Sequence, residues 1–348
     1  MTSLFVLSDV HYDGTPERTR ALAACLTTIQ GLDGEATVMI DGDLTNQGLA
    51  AEFAGLGDVL AGFDGLTFLL NLGNHDVRGP FSAGWETAPD ADPAHYHRVT
   101  VPAFTALQAR VHSPMTGWYD RIVVGPWLVV VLNLERGLKD AAALSDAQLT
   151  WLDQTLGAVP TGLTPLVFLH QPLNHTHWRS DLYGGFGTFD APLKGLLGRH
   201  PNTVLLTGHI HNGFGYTEVI PRSYATLVDL PAMSVSELGY RGLGLGYRLV
   251  QNAAGLGLEA WDLAAGTRLA QYDQVVDLPT LGALTAGLTE AAKPRPTPAK
   301  GLPEAAKTVL TAAYDQPEGD DLSVPPRALF GPDVQARVHA WCRAAAGR

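Results

Sequence analysis

Cysteine is nearly absent from this sequence. The 348 residues include two, Cys25 and Cys342, far apart and neither in a C-x-x-C pair. That excludes a thiolate zinc site and a disulfide framework. Cys25 lies in an apolar, helix-like run and reads as a small buried hydrophobe. Long apolar runs are missing too: none approaches the ~20 residues that span a bilayer. The opening residues, MTSLFVLSDVHYDG, enter a strand-like run at once, with no basic stretch or small-residue cleavage site, so no secretory signal is expected. The expectation is a cytoplasmic protein with reduced thiols and no membrane partner. Positive charge is also scarce. Lys and Arg total 23 against 35 Asp and Glu, a formal net charge of -12. This balance argues against a broad basic surface for long nucleic acid. A small phosphate-bearing substrate is not, because bound metal reverses charge locally.

Hydrophobic residues are plentiful, at 46%, enough for one large α/β domain or a domain with an appendage. From residue 1 to about 215, strand-like and helix-like runs alternate. Strands are expected at SLFVLSD, TVMIDGD, TFLLNLG, PLVFLHQ and TVLLTGH, and helices near 16–30, 49–61, 102–112 and 190–199. SDAQLTWLDQTL adds an amphipathic helix capped by Ser145. DRIVVGPWLVVVLNL reads as a hairpin turning at Gly125-Pro126. Residues 77–100 are polar and punctuated by Pro and Gly, and read as a long loop capping the strand ends. From 216 to 276 the pattern becomes hairpin-rich. The chain therefore divides into a domain over 1–280 and an extension over 281–348. The extension holds a Pro- and Lys-rich linker at 293–303 and two Ala-rich helical runs. Those runs carry Leu310, Val334, Val338 and Trp341 at spacings that can form an apolar face for self-association.

Polar clusters terminate five of the strands. FVLSDVH ends in Asp9 and His11, VMIDGD in Asp41 and Asp43, LLNLGNHD in Asn74, His75 and Asp76, VFLHQ in His170, and LLTGHIH in His209 and His211. Ligands of α/β sheets bind beyond the carboxyl ends of strands. Oxygen and imidazole donors without thiolates suit first-row divalent ions such as Mn, Fe, Zn or Co. The donors outnumber the needs of one ion. Two ions sharing a carboxylate would use them all, a device suited to displacement at phosphorus. In an extended segment residues i and i+2 share a side, so Asp9 and His11 can reach one ion, as can His209 and His211. Gly42, Gly73 and Gly208 permit turns beside these donors. Asp41 stands before Gly42 and reads as a turn residue or as a carboxylate behind a ligand.

DVH, GDLTNQG, GNHD, the lone His170 after a strand, and GHIH resemble the five motif blocks of the calcineurin-like metallophosphoesterases, in that family's order and spacing. One block alone is weak; five in order are specific. The resemblance covers about residues 1–215. It implies an α/β fold, a double β-sheet sandwich flanked by helices (α/β/β/α), here with the C-terminal helical extension. It implies one ion on Asp9, His11, Asp43 and His211, and a second on Asp43, Asn74, His170 and His209, with Asp43 bridging. It further implies a bridging hydroxide as nucleophile and His75 assisting the leaving group, oriented by Asp76. GNHD followed by Arg78 resembles the branch that cleaves cyclic nucleotides and glycerophosphodiesters. Arg78 is a candidate phosphate clamp, or else pairs with a cap carboxylate such as Glu86 or Asp90. His175 and His177 are candidate phosphate contacts on the loop after His170. Leu44-Thr45-Asn46 stand where purple acid phosphatases carry a tyrosine, so an iron-tyrosinate is not expected. Every ligand position holds a competent donor, which favours a phosphodiesterase or phosphomonoesterase over a non-catalytic scaffold.

Overall fold

In β1 (Leu4–Ser8), Leu4 and Val6 enter one apolar core, while Phe5 and Leu7 enter another. A strand turns successive side chains to opposite faces, so a run buried on both faces needs cover on both. The same division recurs in β2 (Thr37–Asp41), where Met39 joins the first core and Val38 and Ile40 the second. The first core lies between two sheets and the second between sheets and helices. The computed structural model describes residues 3–79, 93–181, 185–252 and 255–277.

One sheet runs in the order β12-β11-β10-β1-β2-β3, with β13 also paired to β11. It holds β3 (Thr67–Asn71), β10 (Leu245–Asn252), β11 (Gly255–Asp262), β12 (Thr267–Arg268) and β13 (Gln274–Asp277). The other runs β4-β5-β6-β7-β9-β8. Its members are β4 (Asp120–Val124), β5 (Trp127–Val131), β6 (Thr164–Phe168), β7 (Val204–Thr207), β8 (Val219–Pro221) and β9 (Thr226–Asp229). Helices α1 (Pro16–Leu32) and α2 (Ala50–Leu60) are the crossovers that keep β1, β2 and β3 parallel. The helices α6 (Asp146–Gly157) and α7 (Asp190–Leu197) do the same for β5, β6 and β7. Ser145 caps α6 by accepting from the Gln148 amide, as its sequence pattern requires. The expected hairpin at Gly125-Pro126 joins β4 to β5 with Val124 opposite Trp127.

This is the mixed α/β, two-sheet sandwich that the sequence leads one to expect. Two details differ. The segment 77–100 is not all loop: α3 (Asn74–Arg78) occupies its start. Its end is α4 (Pro93–His95) and a π-helical turn, Tyr96–Thr100, running into α5 (Val101–Arg110). Each piece is too short, or too polar, for its periodicity to show. The remainder, 80–92, and the extension over 281–348 lie outside the described residues. No described helix is long and apolar enough to cross a membrane.

Candidate metal centre

Parallel pairing sets Ser8, Asp41 and Asn71 in register across one sheet. In the other sheet it sets Val131 opposite Phe168 and Phe168 opposite Leu206. The chain leaves each row at its carboxyl edge, and the polar clusters follow there. Asp9 and His11 follow β1, Asp43 follows β2, Asn74 opens α3, His170 follows β6, and His209 and His211 follow β7.

The backbone at these exits is not extended. Asp9, His11, Asp43, His209 and His211 all have φ between 45° and 72°. Asp and His tolerate this left-handed region better than most residues, yet such conformations persist only where surroundings enforce them. Here the loops zip together: His11 N donates to Asp43 O at 2.8 Å, and His209 N donates to Asp9 Oδ1 at 3.2 Å. Gly42, at φ 67°, lets the His170 ring lie where a Cβ would stand. Gly73 leaves room in the same way for the Asp43 carboxylate. The left-handed turns also correct the i, i+2 expectation. Asp9 and His11 do converge, but His209 and His211 diverge to different groups.

Two groups of donors result. Asp9, His11, Asp43 and His211 form one; Asp43, His170 and His209 form the other, with Asp43 common to both. The Nε2 atoms of His11 and His211 are 3.1 Å apart. Asp43 Oδ2 lies 3.4 Å from His11 Nε2 and 3.2 Å from His170 Nε2. Asn74 joins the second group, its Oδ1 2.9 Å from His209 Nδ1. Donors around a shared ion with bonds of ~2.1 Å stand at about such separations. The central atoms Asp43 Oδ2 and His170 Nε2 are buried and make no hydrogen bond. His170 Nδ1 faces the Asp41 carbonyl at 2.8 Å and must donate to it, which turns Nε2 toward the group. His211 Nδ1 likewise faces Glu237 Oε1 at 3.4 Å and leaves Nε2 for the group. Orphaned acceptors at the focus of buried carboxylates and imidazoles fit a pair of cations.

The electrostatics agree. Burial drives the Asp9 carboxyl up and the His11 and His209 imidazoles well down. Burial would also raise Asp43, but His170 and His75 hold it well below the usual range. Burial opposes charge on His170, yet Asp43 and Asp9 raise it to about 10. Two carboxylates at this depth demand positive charge beside them.

The profile of the calcineurin-like phosphoesterases matches residues 2–213. The chain belongs to the calcineurin-like phosphoesterase family. It is a metal-dependent hydrolase of phosphate esters by that membership, and its two donor groups are able to bind the family's pair of ions. No curated protein matches the sequence. Among solved structures, a dimetal phosphatase from Danio rerio has 14% identity and a TM-score of 0.56, over 80% of this chain and 99% of that one. A purple acid phosphatase from yellow lupin seeds has 12% identity and a TM-score of 0.51, over 77% of this chain and 52% of that one. At these identities the likeness is one of fold.

Around the phosphoesterase centre the other expected residues are placed as follows. His75 stands beside it, its ring edge-on to His11 with centroids 4.4 Å apart. Its Nδ1 donates to the Asn46 carbonyl at 2.8 Å, and Arg78 Nη2 lies 2.9 Å from Nε2. Burial first, then Arg78, push this imidazole down to about 4. Asp76 does not touch the His75 ring, because α3 turns the two side chains apart. Its buried carboxylate instead accepts from the amides of Leu44, Thr45 and Gly73 and from Thr45 Oγ1. It thereby ties the Asp43 loop to α3. Asp41 is buried and bonded to Asn71 Nδ2 at 2.8 Å; burial raises it to about 7. Arg78 pairs with Asp140, Nη1 to Oδ1 at 3.3 Å. His175 pairs with Asp181 at 3.2 Å. His177 is buried, at 3% exposure, and neither ring nitrogen makes a hydrogen bond. Its ring is as buried as those of the metal-site histidines His11, His170 and His209. Sequence reasoning missed Asp140 and Glu237. Asp140 lies in a polar loop after β5, so the strand-end signal was present but matched no motif block. Glu237 reaches His211 only through tertiary pairing of distant loops.

Proposed function

We propose that this phosphoesterase cleaves phosphodiesters in preference to monoesters, in the manner of the branch that acts on cyclic nucleotides and glycerophosphodiesters. The observation that carries this is the state of three arginines near the centre. Arg18, Arg78 and Arg179 each have a carboxylate partner: Asp13 at 3.3 Å, Asp140 at 3.3 Å and Glu237 at 2.6 Å. A monoester near neutral pH brings almost two negative charges, and paired guanidiniums have little left to offer the second. A singly charged diester makes a smaller demand.

In this reading Asp9, His11, Asp43 and His211 hold one ion, and Asp43, Asn74, His170 and His209 the other. When bound, the pair supplies Lewis-acid charge at the phosphoryl oxygens and lowers the pKa of water. Deep burial of Asp9, Asp43 and His170 keeps bulk water away from these donors and strengthens their electrostatics. Asp76 locks the Asp43 loop against α3, so Asp43 and Asn74 keep one spacing. His75 serves the leaving group as proton donor. Arg78 caps its Nε2 in the substrate-free site; once Arg78 moves aside, that nitrogen can take up a proton from water and pass it to the leaving oxygen. The domain over 1–280 contains all of these residues.

The test compares kcat/KM for bis(p-nitrophenyl) phosphate and p-nitrophenyl phosphate at equal metal loading. A higher value for the diester is expected. A clear preference for the monoester would overturn the choice and make the enzyme a phosphomonoesterase.

A further inference from the structure

Asn74 has a problem that the histidine ligands do not. A carboxamide has two ends of similar shape, one a carbonyl oxygen that attracts a cation and one an NH2 group that repels it. To serve as a ligand it must be held one way round.

Asp140 stands where that choice is made. Its residue is 8% exposed and lies on the loop between β5 and α6. Asn74 Nδ2 donates to Asp140 Oδ1 at 3.1 Å and to the Lys139 carbonyl at 3.3 Å. A carboxylate and a carbonyl only accept, so both partners require the NH2 end. Reversing the amide would set Oδ1 against two acceptors and lose two hydrogen bonds, one of them charge-assisted. The same Asp140 oxygen accepts from Arg78 Nη1 at 3.3 Å, and the Asp140 carbonyl accepts from Gln171 Nε2 at 3.2 Å. Gln171 is the neighbour of His170. One residue therefore joins α3, through both Asn74 and Arg78, to the His170 loop, two parts that follow different strands.

We infer that Asp140 is a positioning residue for one metal site: it fixes the Asn74 carboxamide with its oxygen toward the group formed with Asp43, His170 and His209. The inference rests on the dinuclear reading given above. Outer partners of this kind are typically worth about 10–100-fold in metal affinity. No member of the first group, Asp9, His11, Asp43 and His211, has a hydrogen bond to Asp140 among the described residues, so its ion should be indifferent to the change.

The probe is Mn2+, titrated by calorimetry into chelator-treated full-length protein, with electron paramagnetic resonance to distinguish a coupled pair from a single ion. The variants are Asp140→Asn, whose amide can bond either end of Asn74, and Asp140→Ser, which removes the carboxylate in a smaller side chain. Thermal melts establish that each variant is folded. Wild type is expected to take two ions. Each folded variant is expected to keep one at wild-type affinity and to bind the other ~10–100-fold more weakly, so that the coupled signal disappears at two equivalents. Asp140→Glu, which keeps an acceptor-only group, should recover part of the loss. Two ions bound with unchanged affinity in both variants would overturn the inference, as would equal weakening of both sites. Fewer than two ions in wild type would overturn the dinuclear reading itself.

Discussion

The Nε2 atoms of His11 and His211 stand 3.1 Å apart, although 200 residues separate them in the chain. Asp9 Oδ1 lies 3.5 Å from His211 Nε2, and Asp43 Oδ2 lies 3.4 Å from His11 Nε2. Folding alone gains little from this convergence, because buried carboxylates and imidazoles lose hydration. A bound cation repays it. The melting temperature of chelator-treated protein should therefore rise with added Mn2+ or Zn2+, by an amount that grows with metal concentration. Binding to the native state alone gives ~2.7 kcal/mol at a hundredfold excess over Kd. A melting temperature indifferent to both metals would count against the site.

His75 should matter for rate and not for metal. Its ring faces Asn46 and Arg78 and belongs to neither donor group. His75→Ala should keep its ions and lose ~10²–10⁴ in kcat, the span usual for general acid catalysis. The loss should shrink as the leaving group becomes more acidic and needs no proton. A leaving-group series showing the same loss throughout would remove the proton-donor role.

His177 should govern acid stability. Burial, then Arg222, push it down to about 3 in the folded state, against ~6.5 when unfolded. The folded protein favours the neutral ring, so the full benefit is present above ~6.5 and is lost as pH falls toward about 3. Between those limits the contribution approaches ~1.4 kcal/mol per pH unit. His177→Leu should flatten the fall of stability between pH 6.5 and pH 4 by up to ~1.4 kcal/mol per unit, read from denaturant melts. Identical slopes in the two proteins would show that the imidazole titrates freely.

The extension should be dispensable for chemistry. The last described element, β13, is paired to β11 with Asp277 opposite Gly255, so a cut after Thr280 leaves that strand intact. Metal content and turnover per folded chain should persist in the truncated protein, while its oligomeric state is free to change. Loss of metal from a folded truncation would assign the extension a part in the site.

Much of this was legible in the sequence because two periodicities are strong. Apolar runs such as LFVLS and VLLT need cover on both faces, and each runs straight into Asp or His, so strands and site residues were found together. Helix α1 shows Pro at its first turn and a Thr15 cap, signals that depend on neighbours in the chain. What was hidden depends on residues far apart. The left-handed backbone at Asp9, His11, Asp43, His209 and His211 is imposed by loops packed against one another. Asp140 and Glu237 acquire their roles from the ligands they meet. The loop bearing His177 looks polar and exposed in sequence, yet tertiary packing closes over that ring. The insertion of β10 beside β1, antiparallel with Leu4 opposite Leu249, joins strands that no local pattern relates.

The central claim is that hydrolysis requires two ions sharing Asp43. It is tested most directly by restoring activity to chelator-treated protein with measured equivalents of Mn2+, in wild type and Asp43→Ala, using bis(p-nitrophenyl) phosphate. Activity in wild type should climb to a break at two ions per chain, and Asp43→Ala should bind both ions weakly and stay inactive. Hydrolysis that survives chelation, saturates at one ion, or persists in Asp43→Ala at wild-type metal content would contradict the account.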